Sequence, residues 1–372
     1  MSEESFDYEV DIYRKIYWIS SDLNVFLQVF TIITNVFHLI FLLQKELRSG
    51  AIYILMIGIG IADVINFLFE FYNIGIERYW WYPFDEIPSL CLKIDLAEIN
   101  LFFELNQTII HITRPVAVWL AILMALIRTL SVMFPMSNWI QNMTKSRNVI
   151  FMIFAVFGFW MIFYVNWIIF LRIVWYPDVL DKSCFYYNRD KQSYQRHALV
   201  MDKDRYIFLF SNENLEPIVR FVPTICYPIL TVALIFQLRS IKKKRENVQK
   251  SSLSDQSDKT TKLILAMTIC FMLSEGLCGL DAVIIQVLNR KAQKKYSENL
   301  ADWISTLGTL QFIFLNLRTF NASTHPFFCF FMSSQYRDTV KRLFCGKKKS
   351  RAFTTIKVST ASVSSVSSKK SY

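Results

Sequence analysis

Apolar runs of membrane-crossing length alternate with short charged stretches along most of the chain. Seven runs can be delimited, at 24–43, 51–73, 105–130, 149–173, 217–239, 262–288 and 304–331. Residues 25–43, "VFLQVFTIITNVFHLIFLL", hold no Asp, Glu, Lys or Arg. About 20 residues of helix, at about 1.5 Å each, cross about 30 Å of hydrocarbon. The pattern therefore predicts an all-α membrane protein built as a seven-helix bundle. The third and seventh runs carry polar residues at helical spacing, which is tolerated where they face a bundle interior or a water-lined cavity. The polar, acidic N-terminus and the long first run argue against a cleavable signal peptide.

Charge sets the expected orientation. The connections 44–50, 131–148 and 239–259 and the segment 332–372 hold 21 Lys and Arg, against 14 in the N-terminus, 74–104, 174–216 and 289–303. Lys and Arg accumulate on the cytoplasmic side, so the reading is a multi-pass plasma-membrane protein with its N-terminus outside and its C-terminus cytoplasmic. The domain plan is an extracellular 1–23, a seven-helix domain 24–331, a membrane-surface helix 332–345 and a disordered tail 346–372. Of the 372 residues 53% are hydrophobic and 19% charged, with mean hydropathy +0.30; soluble domains carry about 25% charged residues. The net charge of +11 lies in loops and tail between spans, which argues against a nucleic-acid partner and leaves the lipid bilayer as the expected surroundings.

Several shorter features follow. In "SSQYRDTVKRLFCGKKKS", Tyr336, Val340, Leu343 and Phe344 share one helical face, with Arg337, Lys341 and Arg342 on the other. This predicts an amphipathic helix on the inner membrane surface. Cys345 ends it beside a basic run, as a palmitoylation site would; the alternative is an unmodified thiol. Cys91 and Cys184 are the cysteines in predicted outer loops, where disulfides persist. They are expected to pair, the alternative being two free thiols. Asn106 in "NQT" is a glycosylation sequon on the predicted outer side. The outer loop 174–216 contains a strand-like "RYIFLF" at 205–210, and 240–259 is basic and then Ser-rich. The Ser/Thr-rich tail would bind arrestin once phosphorylated, or remain a solvated tail.

Charges inside the runs are the strongest candidates for function. Asp63, Arg114, Arg128, Arg220, Glu275, Asp281 and Arg318 all fall within or near predicted spans. A charge at mid-membrane costs about 3 kcal/mol or more unless paired or hydrated. Helix rise places Arg114 about 21 Å above Arg128, Glu275 about 20 Å above the inner end of the sixth run and Arg318 about 21 Å above that of the seventh. The expectation is an ionic cluster of Arg114, Glu275 and Arg318 with surplus positive charge. The alternative is a permanent structural ion pair. Asp63, Asn35, Asn321 and His325 form a second polar group lower in the bundle, either a switch or plain helix glue. Pro326 removes a backbone hydrogen bond near the inner end of the seventh run, where a helix can change shape.

These residues carry a resemblance. Asn321, His325, Pro326 and Cys329 resemble the seventh-helix motif of rhodopsin-like G-protein-coupled receptors. "FMSSQYR" (331–337) and "WLAILMALIRTLSVMFP" (119–135) resemble nematode serpentine receptors of class W, themselves similar to FMRFamide-type peptide receptors. By position, Asn35, Asp63, Arg128 with Pro135, and Pro228 in "CYPIL" resemble markers of the first, second, third and fifth helices. "FMLSEGLCG" (271–279) resembles the sixth-helix block of class W. Ile127 stands where an acid is usual beside the arginine, Leu277 where a proline is usual, Ala117 where a serine is usual and His325 where Asn or Asp is usual; a sodium ion at Asp63 is thereby disfavoured.

The resemblance implies roles. Arg114, Glu275, Arg318, Asp281 and Arg220 would meet ligand. Asp63, Asn35, Asn321, His325, Pro326 and Pro228 would form the activation switch. Arg128, Pro135, Lys242, Lys243, Lys244 and Arg245 would contact a heterotrimeric G protein. The implied function is a G-protein-coupled receptor for an extracellular neuropeptide, with a chemosensory receptor for small molecules as alternative and a seven-helix channel or transporter as a remote one. No metal-ligand spacing, phosphate loop or nucleophile elbow points to an enzyme or a cofactor.

Overall fold

A computed structural model describes residues 3–48, 50–76, 97–134, 136–169, 171–177, 195–201, 222–223, 225–233, 235–237, 239–240, 254–294 and 297–345. In chain order the elements are α1 (Glu3–Leu42), α2 (Ala51–Ile76), α3 (Ala97–Met133), α4 (Asn138–Met143) and α5 (Ser146–Ile169). After these come β1 (Leu171–Pro177), β2 (Gln195–Met201), α6 (Ile225–Gln237), α7 (Ser254–Lys294), α8 (Glu298–Met332) and α9 (Ser334–Cys345).

Among the described residues, five stretches of helix are long and apolar enough to cross a membrane: Lys15–Leu42, Ala51–Gly75, Leu101–Ser131, Ser146–Val165 and Ile269–Ala292. The fifth predicted run coincides with the shorter apolar helix α6. The seventh lies in α8, whose apolar run is broken by Asn316, Arg318, Asn321, Thr324 and His325. Several helices overrun the predicted bounds: α1 begins far upstream of residue 24, and α7 extends past both ends of 262–288. The fourth run departs in the opposite sense. Helix α5 stops at Ile169, and "LRIVWYP" continues as β1, antiparallel to β2 with Leu171 opposite Met201 and Pro177 opposite Gln195. Alternating β-branched and aromatic residues favour strand over helix there, and β2 packs on α3. The strand expected at 205–210 lies outside the described residues.

Helix α3 is the central post, packed on α2, α5 and α7, while α1 packs between α2 and α8. Large apolar side chains of α5 such as Phe151, Phe154 and Ile162 point outward. The buried stripe of α1 is instead Ser20, Asn24, Gln28, Thr31, Asn35 and His38. That inversion follows from the solvent. Lipid tails are as apolar as leucine, so burying leucine gains little, and interhelical hydrogen bonds and close packing associate the helices. Gly58 allows such close packing, because a Cβ there would sit 3.0 Å from Leu120 Cδ1 and 3.2 Å from Ile153 Cδ1.

Candidate functional site

The α1 stripe has partners along its length. Asn316 Nδ2 donates to Ser20 O at 2.9 Å and to Ser20 Oγ at 2.7 Å. Thr319 Oγ1 donates to Asn24 Oδ1 at 3.0 Å, and Thr31 Oγ1 to Thr319 O at 3.1 Å. One turn below, Asn35 Nδ2 donates to Ala322 O at 3.2 Å. Ala322 is the residue whose carbonyl loses its helical donor because Pro326, four residues on, has no N–H. The asparagine on α1 supplies that hydrogen bond, and α8 runs through Pro326 as helix to Met332.

Around that point lies the second polar group. His325 Nδ1 is 3.7 Å from Asp63 Oδ2, an electrostatic approach too long for a hydrogen bond. Asn35 Oδ1, Asp63 Oδ2, Asn321 Oδ1 and His325 Nε2 are buried without a hydrogen-bond partner among the described residues. Internal water ordinarily satisfies groups of this kind. The His325 ring lies 5.0 Å from the Phe271 ring, which stacks on Tyr227 at 5.8 Å. Tyr227 in turn donates to Val118 O at 3.0 Å. An aromatic bridge therefore joins α6, α7 and α8 one helical turn below Glu275, and pins α6 to α3.

The upper cluster differs from the sequence expectation. Arg318 is almost fully buried, and its Nη2 lies 2.6 Å from Oε1 of Glu70 on α2, a residue that reading of the sequence did not single out. The Glu70 carboxylate also accepts from Asn66 Nδ2 at 3.0 Å and from Gln28 Nε2 at 3.2 Å. Thr113 Oγ1 extends the network to Asn66 Oδ1 at 3.4 Å. Glu275 stands 4.0 Å from Arg318 Nε. Arg318 thus stands between two glutamates, and the surplus positive charge expected here is offset by Glu70. The signal for Glu70 was present: it is an acid inside an apolar run, seven residues and nearly two turns past Asp63, and so on the same helix face.

Arg114 and Glu275 line a cavity of about 40 Å³ between α3, α5 and α7, together with His111, Trp119, Tyr164 and Pro223. Arg318 is not among its lining residues. The His111 and Tyr164 rings stack at 5.6 Å, and Trp160 stacks on Tyr164 at 6.0 Å. Pro115 also lines the cavity; it lies inside α3 and removes the amide that would bond the His111 carbonyl. Asp281 is buried above Glu275, and both its carboxylate oxygens lack a hydrogen-bond partner among the described residues.

The C-terminal end of α8 is tied to α9. Ser333 leaves the helical conformation at φ −102° and ψ 114°, and its Oγ accepts from Tyr336 N at 3.2 Å. Tyr53 OH meets the same Oγ at 2.8 Å. Tyr336, 1% exposed, hydrogen-bonds through its hydroxyl to His38 Nδ1 at 2.8 Å. Burial raises the Tyr336 hydroxyl well above the usual phenol range, so it stays protonated. Leu343 and Phe344 point outward, and Arg342 Nη1 pairs with Glu46 Oε1 at 2.9 Å. The helix is thus amphipathic, with an apolar edge turned outward beside its charged one.

Other sequence candidates are placed as follows. Arg128 is partly buried near the C-terminal end of α3, beside buried Ile127. Ala117 is buried, Leu277 faces outward and Pro228 lies within α6. Cys345 closes α9. Asn106 does not fit the glycan reading. It is 2% exposed inside α3, and its Nδ2, the atom a glycan would occupy, donates to Asn73 Oδ1 at 2.6 Å. A glycan there would force α2 and α3 apart. Cys91, Cys184, Arg220, Pro135, Lys242, Lys243, Lys244, Arg245 and the tail 346–372 lie outside the described residues. Among the described residues no group of His, Cys, Asp and Glu could hold a metal ion.

A search of curated proteins finds no match. A family model does match, over residues 22–347, and its description is "Serpentine type 7TM GPCR chemoreceptor Srw". Among the described residues that span takes in the membrane-length helices, apart from the first part of α1, with both polar clusters, the cavity and α9. The chain belongs to the class W serpentine family of seven-transmembrane G-protein-coupled chemoreceptors, a family of receptors and not of enzymes.

Proposed function

We propose that this receptor detects a short extracellular peptide, with its N-terminus outside and its C-terminus in the cytoplasm. The observation that carries the reading is the cavity with Arg114 on one wall and Glu275 on another. A peptide brings charged side chains and backbone carbonyls to such a site, whereas an apolar odorant offers the Glu275 carboxylate no polar group, at considerable cost. Beneath the cavity, Glu275 is one turn from Phe271, and Phe271 touches His325. A ligand pressing on Glu275 would bias this bridge, and binding that favours one of two bundle states shifts the population toward it. Arg128, with Pro135 and the basic residues 242–245, is the proposed G-protein face. A Cys91–Cys184 disulfide, lipid on Cys345 and arrestin on a phosphorylated tail complete the proposal.

The test is a G-protein activation assay in cells with verified surface expression, challenged with a library of amidated neuropeptides. A saturable response, lost in Arg114→Gln or Glu275→Gln at matched expression, supports the reading. Silence across the library, followed by activation with a small environmental molecule, replaces the peptide with a chemosensory ligand. The family description and the small cavity of about 40 Å³ favour that second reading.

A further inference from the structure

We propose that the cavity receives a cationic group of the ligand, a guanidinium or an ammonium, on the carboxylate of Glu275. The inference rests on the receptor reading above and narrows its ligand class.

The argument begins with Arg318, the cation that would otherwise satisfy Glu275. Arg318 donates to Glu70 at 2.6 Å and approaches Glu275 only through Nε at 4.0 Å. The first distance is a charge-assisted hydrogen bond; the second is beyond hydrogen-bond range. Glu70 is also gripped by Asn66 and Gln28, so it is fixed as the partner of Arg318. Glu275 is left with that one distant contact and makes no hydrogen bond among the described residues, although a carboxylate has room for about four. Its side chain is 14% exposed, and what it lines is the cavity.

The rest of the lining agrees with this choice. His111 stacks on Tyr164, and Trp119 lines the same space. Aromatic faces attract cations, indole most strongly. Arg114 opposes a bare cation and thereby refines the class. Its charge suits a ligand whose cation travels with a carbonyl or carboxylate oxygen, as in a peptide bearing Arg or Lys. At about 40 Å³ the cavity takes the head of such a side chain and not a whole peptide, so the remainder of the ligand would extend outward.

The test uses full-length receptor in lipid nanodiscs and three probes: acetyl-Arg-Phe-amide, its citrulline counterpart and its glutamate counterpart. Citrulline keeps the shape of arginine and removes the charge, so this comparison needs no mutant. Binding to wild type is expected to be about ten- to a hundredfold tighter for the arginine probe than for citrulline, the span of a hydrogen bond to a charged group. Glu275→Gln is expected to bring the two probes level, and Glu275→Asp to retain a preference. Equal binding of arginine and citrulline probes to wild type, preference for the glutamate probe, or no binding of any probe at millimolar concentration would overturn the proposal. Guanine-nucleotide exchange on an added G-protein panel is read separately. Arginine preference without exchange on any G protein would leave the cation site standing and sink the peptide-receptor reading.

Discussion

Replacing Glu70 by Gln tests the assignment of partners at the centre of the bundle. The substitution keeps the side-chain shape and an acceptor for Asn66 or Gln28 but removes the charge held 2.6 Å from Arg318. Arg318, with 4% side-chain exposure, would retain Glu275 at 4.0 Å as its nearest counter-charge. Removing one partner of a buried ion pair costs about 3–5 kcal/mol. The neutral amide keeps part of the hydrogen bonding, and a shift of Arg318 toward Glu275 recovers part of the Coulomb energy, so the net expectation is about 2–3 kcal/mol. Coupling is read from two double-mutant cycles on thermal unfolding of the solubilised receptor, both using Arg318→Met. The Glu70→Gln cycle should give about 1–3 kcal/mol, within the range for residues in direct contact. The Glu275→Gln cycle should give less than about 1 kcal/mol, since that pair is beyond hydrogen-bond distance. A Glu275 coupling equal to or larger than that of Glu70 would refute the reasoning, and with it the claim that Glu275 is open to ligand.

Three further outcomes follow from the same geometry. Asn35→Leu should lose about 1–2 kcal/mol by leaving the Ala322 carbonyl unmet, and Pro326→Ala in the same chain should restore part of it by returning the missing N–H; absence of any rescue on thermal unfolding contradicts the pairing. Tyr336→Phe should cost about 1 kcal/mol through loss of the His38 hydrogen bond and speed amide exchange in α9 relative to α8, so unchanged α9 protection counts against that anchor. Asn106→Gln should leave gel mobility unchanged before and after glycosidase treatment, because the amide is buried against Asn73; a mobility shift would show that a glycan is carried there.

The sequence disclosed these helices through their outward faces. Runs such as 25–43 are apolar because Phe26, Phe30, Ile33 and Phe37 must face lipid, and length against hydrocarbon thickness does the rest. It was less clear about the interior, where partners are chosen across helices far apart in the chain. Helix rise puts Arg318 and Glu275 at similar depth, but depth does not fix azimuth, and Arg318 turns to Glu70, 248 residues away. Glu70 lies inside the second apolar run, 51–73, with no Lys or Arg in that run to mark it. The rule that any charge inside an apolar run needs a partner would have admitted it at once. Asn106 shows the opposite limit, because a sequon is a three-residue pattern that does not register the helix face it occupies, here buried against Asn73. Asn35 and Pro326 show what sequence can reach when two physical facts are joined: a proline strips a donor from a carbonyl four residues back, and a lone asparagine in an apolar helix needs an acceptor. Neither fact alone names the pair; hydrocarbon offers a bare carbonyl no donor, so each is the nearest remedy for the other.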